Sequence, residues 1–242
     1  FPPSQDSSLY HEANNFIKKI KNNGEFDELL QHHFGSVEQF NYAQALFFLE
    51  HTDKRLPRYR QWFKAAAKKQ NLDWRLLAAI GYQESHWNPN AVSPTGVRGL
   101  MMLTRNTAKS VQVTNRLDPK QSIEGGALFF RKMYQKLPRS IKKSDRTWMA
   151  LAAYNIGYGP LMDARSITKK RGGNMNKWLD VKENLPLLTS EKWYRSTRFG
   201  YARGHEPVTY VNNIRQYYET LVWISQQTQP IRGTALEVAK NM

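Results

Sequence analysis

Between Asp73 and Asp118 the chain carries one acidic residue, Glu84, within "AAIGYQESHWNPNAVSPTGVRGLMML" (78–103). Glu84 closes an apolar run, and a loop rich in Pro, Asn, Ser and Gly follows. A carboxyl at the end of an apolar helix, beside Tyr82 and Trp87, is in surroundings that keep an acid protonated near neutral pH. Such an acid can give its proton to the leaving oxygen of a glycosidic bond. Nearby aromatics, here Tyr82, Trp87 and Tyr154, can stack on sugar rings. On position alone a structural cap or ion pair is the better account of Glu84, so neighbouring sequence has to decide.

Other chemistries find less support. The absence of Cys removes disulfides, thiolate zinc sites and a Cys nucleophile. Ser85 and His86 are neighbours, but adjacent residues at a helix end point different ways, and no G-x-S-x-G stands in the sequence. The six His form no H-x-x-x-H or H-E-x-x-H pattern, so no metal ligand set is expected. "GYGP" and "RGGN" are not phosphate loops, and no cofactor is expected. The formal net charge of +16 attracts polyanions, whether nucleic acid, anionic lipid or an acidic wall polymer. The basic residues scatter rather than line one recognition helix, which argues against sequence-specific DNA reading.

The elements that must position Glu84 read as helices almost throughout. The 242 residues, 40% of them apolar, suffice for one larger domain with a small appendage. No apolar run approaches the roughly 20 residues that cross a bilayer. The opening "FPPSQDSSLY" shows no signal peptide and lacks Met, so a processed or truncated start is expected. Helices are expected over "SSLYHEANNFIKKIKNNG", "EFDELLQHHFG" and "VEQFNYAQALFFLEH". Pro57 suits the first turn of a helix running to about Gln70. Asp73 is a candidate N-cap for the helix that ends in Glu84, with Leu76, Leu77, Ile80 and Gly81 facing inward. A short helix is expected at "GLMML", with Thr104 capping the next. Pro119 opens another, "SDRTWMALAAYNI" forms a buried one ended by "GYGP", and Pro207 starts a terminal amphipathic helix. Residues 162–177 are expected to form a loop, and 187–205 stay ambiguous. A domain boundary is placed near residue 55.

Three stretches in order, "ESHWNPNAVSPTGVRGLMML", "ALAAYNIGYG" and "EPVTYV", resemble the motifs of the family 1 lytic transglycosylases. The resemblance covers roughly residues 57 to 225. "RLPRYRQWFKAAAKKQNLDWRLLAAIGYQESHW" further resembles the membrane-bound lytic transglycosylase F subgroup. It implies a mainly α fold, a lysozyme-like helical domain related to goose-type lysozymes over 56–242. Residues 1–55 would then be a short helical remnant of another, solute-binding-like module.

By that resemblance Glu84 is the single catalytic acid/base and Ser93 helps orient the substrate acetamido group or the acid. Tyr154 and Asn155 form the site wall, and Tyr210 reaches toward the catalytic Glu. Met102 stands where most members have Gln, which removes one amide donor from the sugar contacts. The implied reaction cleaves the MurNAc–GlcNAc bond of peptidoglycan without water and leaves 1,6-anhydro-MurNAc ends. The implied protein is a periplasmic monomer whose full-length form associates with the outer membrane. Its partner is the glycan strand, and no nucleic acid is expected. The positive charge would hold it on carboxylate-bearing wall, with binding to sacculi that weakens as salt rises. A hydrolytic muramidase of the same fold would need a second carboxylate, for which Asp145, Asp163 and Glu206 are the candidates. A non-catalytic wall-binding protein is the remaining alternative.

Overall fold

A computed structural model describes residues 8–22 and 42–227. The chain divides into two compact units, Phe1–Tyr42 and Ala43–Met242. Within the first, α1 (Ser8–Asn22) forms as its apolar spacing predicts, and Phe16 on it is exposed. The expected helix over 25–35 lies outside the described residues.

The second unit begins with α2 (Tyr42–Lys54) and α3 (Leu56–Gln70). Pro57 occupies the first turn of α3, where its missing N–H costs nothing. Asn71 ends that helix in a left-handed conformation. Next comes α4 (Trp74–Ser85), opened by Asp73, whose carboxylate accepts from the Arg75 amide at 2.9 Å. The same carboxylate pairs with the Arg75 guanidinium and accepts from Tyr218 on the last helix, so one acid both starts α4 and ties down its neighbour.

Caps fix the next two starts as well. Thr104 accepts from the Thr107 amide to open α5 (Arg105–Ser110), and Asp118 accepts from the Gln121 amide to open α6 (Pro119–Lys136). The middle of α7 (Lys143–Ile156) is buried from Met149 to Ala153. α8 (Tyr158–Lys170) and α9 (Trp178–Asn184) follow, then a 3-10 turn (Leu185–Thr189) and the short α10 (Glu191–Tyr194). α11 (His205–Gln227) completes the described chain.

The core forms where α4 packs against α3 and α11, and where α7 packs against α6 and α11. Leu77, Ile80, Phe63, Met149, Leu151 and Ile214 are wholly buried there. Each such side chain contributes about 2 kcal/mol by leaving water. Phe48 of α2 is buried too, against Tyr82, Trp87 and Tyr217. No strand forms among the described residues, and none of their helices is long and apolar enough to cross a membrane.

Two local expectations are corrected. Gly99–Leu103 is not a helix. It is a turn pinned by isolated bridges from Arg98 to Val92 and to Leu103. Gly99 at φ +84 and Met102 at φ +43 break any helical run, and Gly99 lies so near the Arg116 carbonyl that a Cβ would sit 1.8 Å from its oxygen. Residues 162–177 are not one loop either, because α8 runs to Lys170. Gly157, at φ +97, ends α7 and at once launches α8, with Pro160 in the first turn. The true loop is 171–177. The buried Arg165 holds it, donating from Nε to the Met175 carbonyl and from Nη2 to Asn176 Oδ1.

Candidate active site

The site is built on the last turn of α4. The helix stops abruptly because His86 and Trp87 both adopt left-handed backbone, φ 50 and 57. The His86 amide donates back to the Tyr82 carbonyl. The Trp87 ring folds under the helix, 1% exposed, and its indole N–H donates to the Ala78 carbonyl at 2.9 Å. This hook fixes the direction in which Glu84 and Ser85 point. The Ser85 hydroxyl donates to the Leu100 carbonyl at 2.8 Å and so fastens the 92–103 loop to the helix end.

Glu84 is half-buried by exposed surface, yet protein crowds its carboxyl, and that desolvation raises it from 4.5 to about 7. The Tyr210 hydroxyl donates to Glu84 Oε1 at 2.6 Å, which acts the other way by stabilising the carboxylate. Tyr210 comes from α11 and is 6% exposed. Its ring stacks on Tyr154 of α7, centroids 6.4 Å apart and planes 15° from parallel. The Tyr154 hydroxyl donates to the Met101 carbonyl at 3.3 Å. Burial first, and the Glu84 charge second, hold both phenols well above their usual range, so both remain donors.

The structure thus joins Glu84, Tyr210 and Tyr154, and Met102 follows the residue whose carbonyl Tyr154 bonds. Met102 is half-buried. Ser93 is also half-buried, in a tight turn where its hydroxyl accepts from the Val97 amide and bonds Thr95. Asn155 is exposed beside Tyr154. Neither Ser93 nor Asn155 is hydrogen-bonded to Glu84 among the described residues.

Two aromatics suggested for sugar stacking are corrected. Tyr82, 3% exposed, packs edge-on to Phe48, Trp87 and Tyr217, and Trp87 is deeper still. They shape the hook and are closed to a ligand.

The candidate second carboxylates are all engaged elsewhere. Asp145 Oδ1 accepts from the Trp178 amide and caps α9. Asp163 is buried and accepts from the Arg198 and Phe199 amides. Glu206 is exposed and pairs with Arg203. Neighbouring negative charge has no part in raising Glu84. Ser85 and Asp163 hold positioning roles that sequence reasoning did not assign to them, having weighed Ser85 as a nucleophile and Asp163 as a second carboxylate. The first had a signal, its place directly after the acid. The second had none, since its partners lie 35 residues away.

Residues 61–177 match the Transglycosylase SLT domain, and this part of the chain belongs to that family. Over 230 residues the chain is 54% identical to the membrane-bound lytic murein transglycosylase F of Marinobacter nauticus, covering 95% of this chain and 46% of that protein. The protein of the same name from Hahella chejuensis is 56% identical over 226 residues, which are 93% of this chain and 44% of its own. The chain therefore spans about half the length of these curated relatives. The X-ray structure of an inactive mutant of the lytic transglycosylase Slt from Pseudomonas aeruginosa aligns with a TM-score of 0.54 at 17% identity. It covers 96% of this chain and 39% of that one, and the likeness concerns the fold alone.

Proposed function

We propose that the chain is the catalytic part of a peptidoglycan lytic transglycosylase, with Glu84 as its single acid and base. The observation that carries this reading is a carboxyl raised to about 7 by burial, with no second carboxylate acting on it. Paired-carboxylate glycosidases place the two groups about 5–10 Å apart, where the second charge would bear on the first. With one carboxylate, the sugar has to supply the nucleophiles.

Protonated Glu84 gives its proton to the oxygen leaving with N-acetylglucosamine as the C1–O bond breaks. The 2-acetamido carbonyl oxygen of the muramoyl residue bonds to C1 in its place. The ionised Glu84 then removes the proton from the muramoyl 6-hydroxyl, and that oxygen attacks C1 and displaces the acetamido oxygen. The product is a 1,6-anhydro ring, Glu84 ends protonated as it began, and no water is consumed. An intramolecular nucleophile of this kind reaches effective molarities on the order of 10⁵ M. Tyr210 holds Oε1, which leaves Oε2 for proton transfer and steadies the carboxylate in mid-reaction. Ser93, Met102, Tyr154 and Asn155 contact the sugars, and Met102 offers a thioether there.

We assign residues 1–55 to the end of a further module whose last helix, α2, packs into the second unit through Phe48, residues 56–242 to the catalytic domain, and the full-length monomer to the periplasmic face of the outer membrane. The names of the relatives support membrane association. Release of soluble muropeptides from purified sacculi tests the reading. Glu84→Gln, which keeps the Tyr210 bond but has no transferable proton, is expected to lower release at least about 10³-fold. Release at the parent rate would end the assignment.

A further inference from the structure

A cavity of about 360 Å³ opens between α5 and the loop after it, away from Glu84 along the chain. Arg105, Lys109 and Arg116 line it, and Ala108 and Val113 give it an apolar wall. No acid lines it, and from Ser85 to Leu117 the sequence has Arg98, Arg105, Lys109 and Arg116 and neither Asp nor Glu. None of the three lining cations pairs with a carboxylate among the described residues. Like charges gathered around one concavity repel, and an anion placed between them removes that repulsion.

The walls are preformed. Gln121 Oε1 accepts three hydrogen bonds, from the Thr114 amide, the Thr114 hydroxyl and the Asn115 amide, and so fixes the loop. Lys132 Nζ donates to the Ser110 carbonyl at the end of α5. Half-buried Arg116 spends one guanidinium nitrogen on the Gly96 and Leu103 carbonyls, at 3.2 and 2.9 Å. Those two carbonyls bracket the segment that carries Met102. Arg116 therefore ties the cavity wall to the loop that carries Met102.

We infer that this basic cavity is a carboxylate subsite for the peptide stem carried by the muramoyl residue, a reading that rests on the function proposed above. Guanidinium groups match a carboxylate in planar, two-bonded geometry, and Lys109 adds a point charge. The subsite makes the enzyme prefer peptide-bearing strands with free carboxylates over bare or amidated ones.

The test is calorimetric binding in the Glu84→Gln background, so that nothing turns over. Three ligands are compared: a GlcNAc–MurNAc disaccharide with a tetrapeptide stem, the same compound with its carboxylates amidated, and the disaccharide alone. The free-carboxylate ligand is expected to bind about tenfold tighter than the amidated one. Adding Arg105→Gln and Lys109→Gln, both exposed positions, is expected to bring that ratio close to one. A ratio that survives the double substitution overturns the subsite. So does loss of binding to phosphatidylglycerol vesicles with the ratio intact, which would assign the cavity to lipid phosphate. If all three ligands bind equally, the subsite alone fails. If none binds, the peptidoglycan reading fails with it.

Discussion

At the scale of the residue, the account rests on the surroundings of one carboxyl. Burial favours the neutral form of Glu84 and the Tyr210 hydroxyl favours the charged form, and burial prevails. Folded Glu84 therefore holds its proton more tightly than the unfolded chain does between pH 4.5 and about 7. Its cost to stability is absent below 4.5, grows as pH rises through that window, and reaches up to about 3 kcal/mol above it. Glu84→Gln should thus melt a few degrees higher than the parent at pH 8 and together with it at pH 4.5, as read by calorimetry. The same raised group predicts that kcat/KM falls as pH rises through about 7, when the acid is lost. Tyr210→Phe removes the bond that stabilises the carboxylate. Its alkaline limb should move up by about one unit, while a limb that moves down would reverse the assigned role.

At the scale of the element, helix starts were legible in the sequence because caps are local. Asp73 and Thr104 each accept the amide that their position predicts, and Pro57 and Pro119 each sit in a first turn. Glu84 was legible as the acid of a helix end, and its tie to Tyr210 only through resemblance, since 126 residues separate them. What stayed hidden was long-range or backbone-driven. Tyr82 and Trp87 are core because Phe48 and Tyr217 close over them, which no local pattern announces. α8 was hidden because "GYGP" reads as a stop, although the same Gly and Pro suit a restart. Asp163 belongs to this scale as well. It satisfies the Arg198 and Phe199 amides and so holds the loop leading into α11, with Phe199 packed over Gly159. Asp163→Ala strands both amides and should cost about 2–3 kcal/mol in denaturant unfolding. It should also speed proteolysis between residues 195 and 204. Unchanged stability would mean the loop is held by other contacts.

At the scale of the whole molecule, a strongly basic chain carries its candidate acid at the end of a helix packed into the core. The +16 charge is of the sign that attracts an anionic polymer, and the 92–103 loop is fastened both to the helix end that carries Glu84 and to Arg116 of the basic cavity. The curated relatives that the chain matches are about twice as long. The central claim is that a lone carboxylate suffices because the substrate attacks itself. Mass spectrometry of the soluble products from purified sacculi tests it most directly, with Glu84→Gln run alongside. The account predicts muropeptides one water lighter than their reducing-end counterparts, absent with the variant. Reducing-end products that depend on Glu84 would contradict it, since water would then be the nucleophile and a second group would have to activate it.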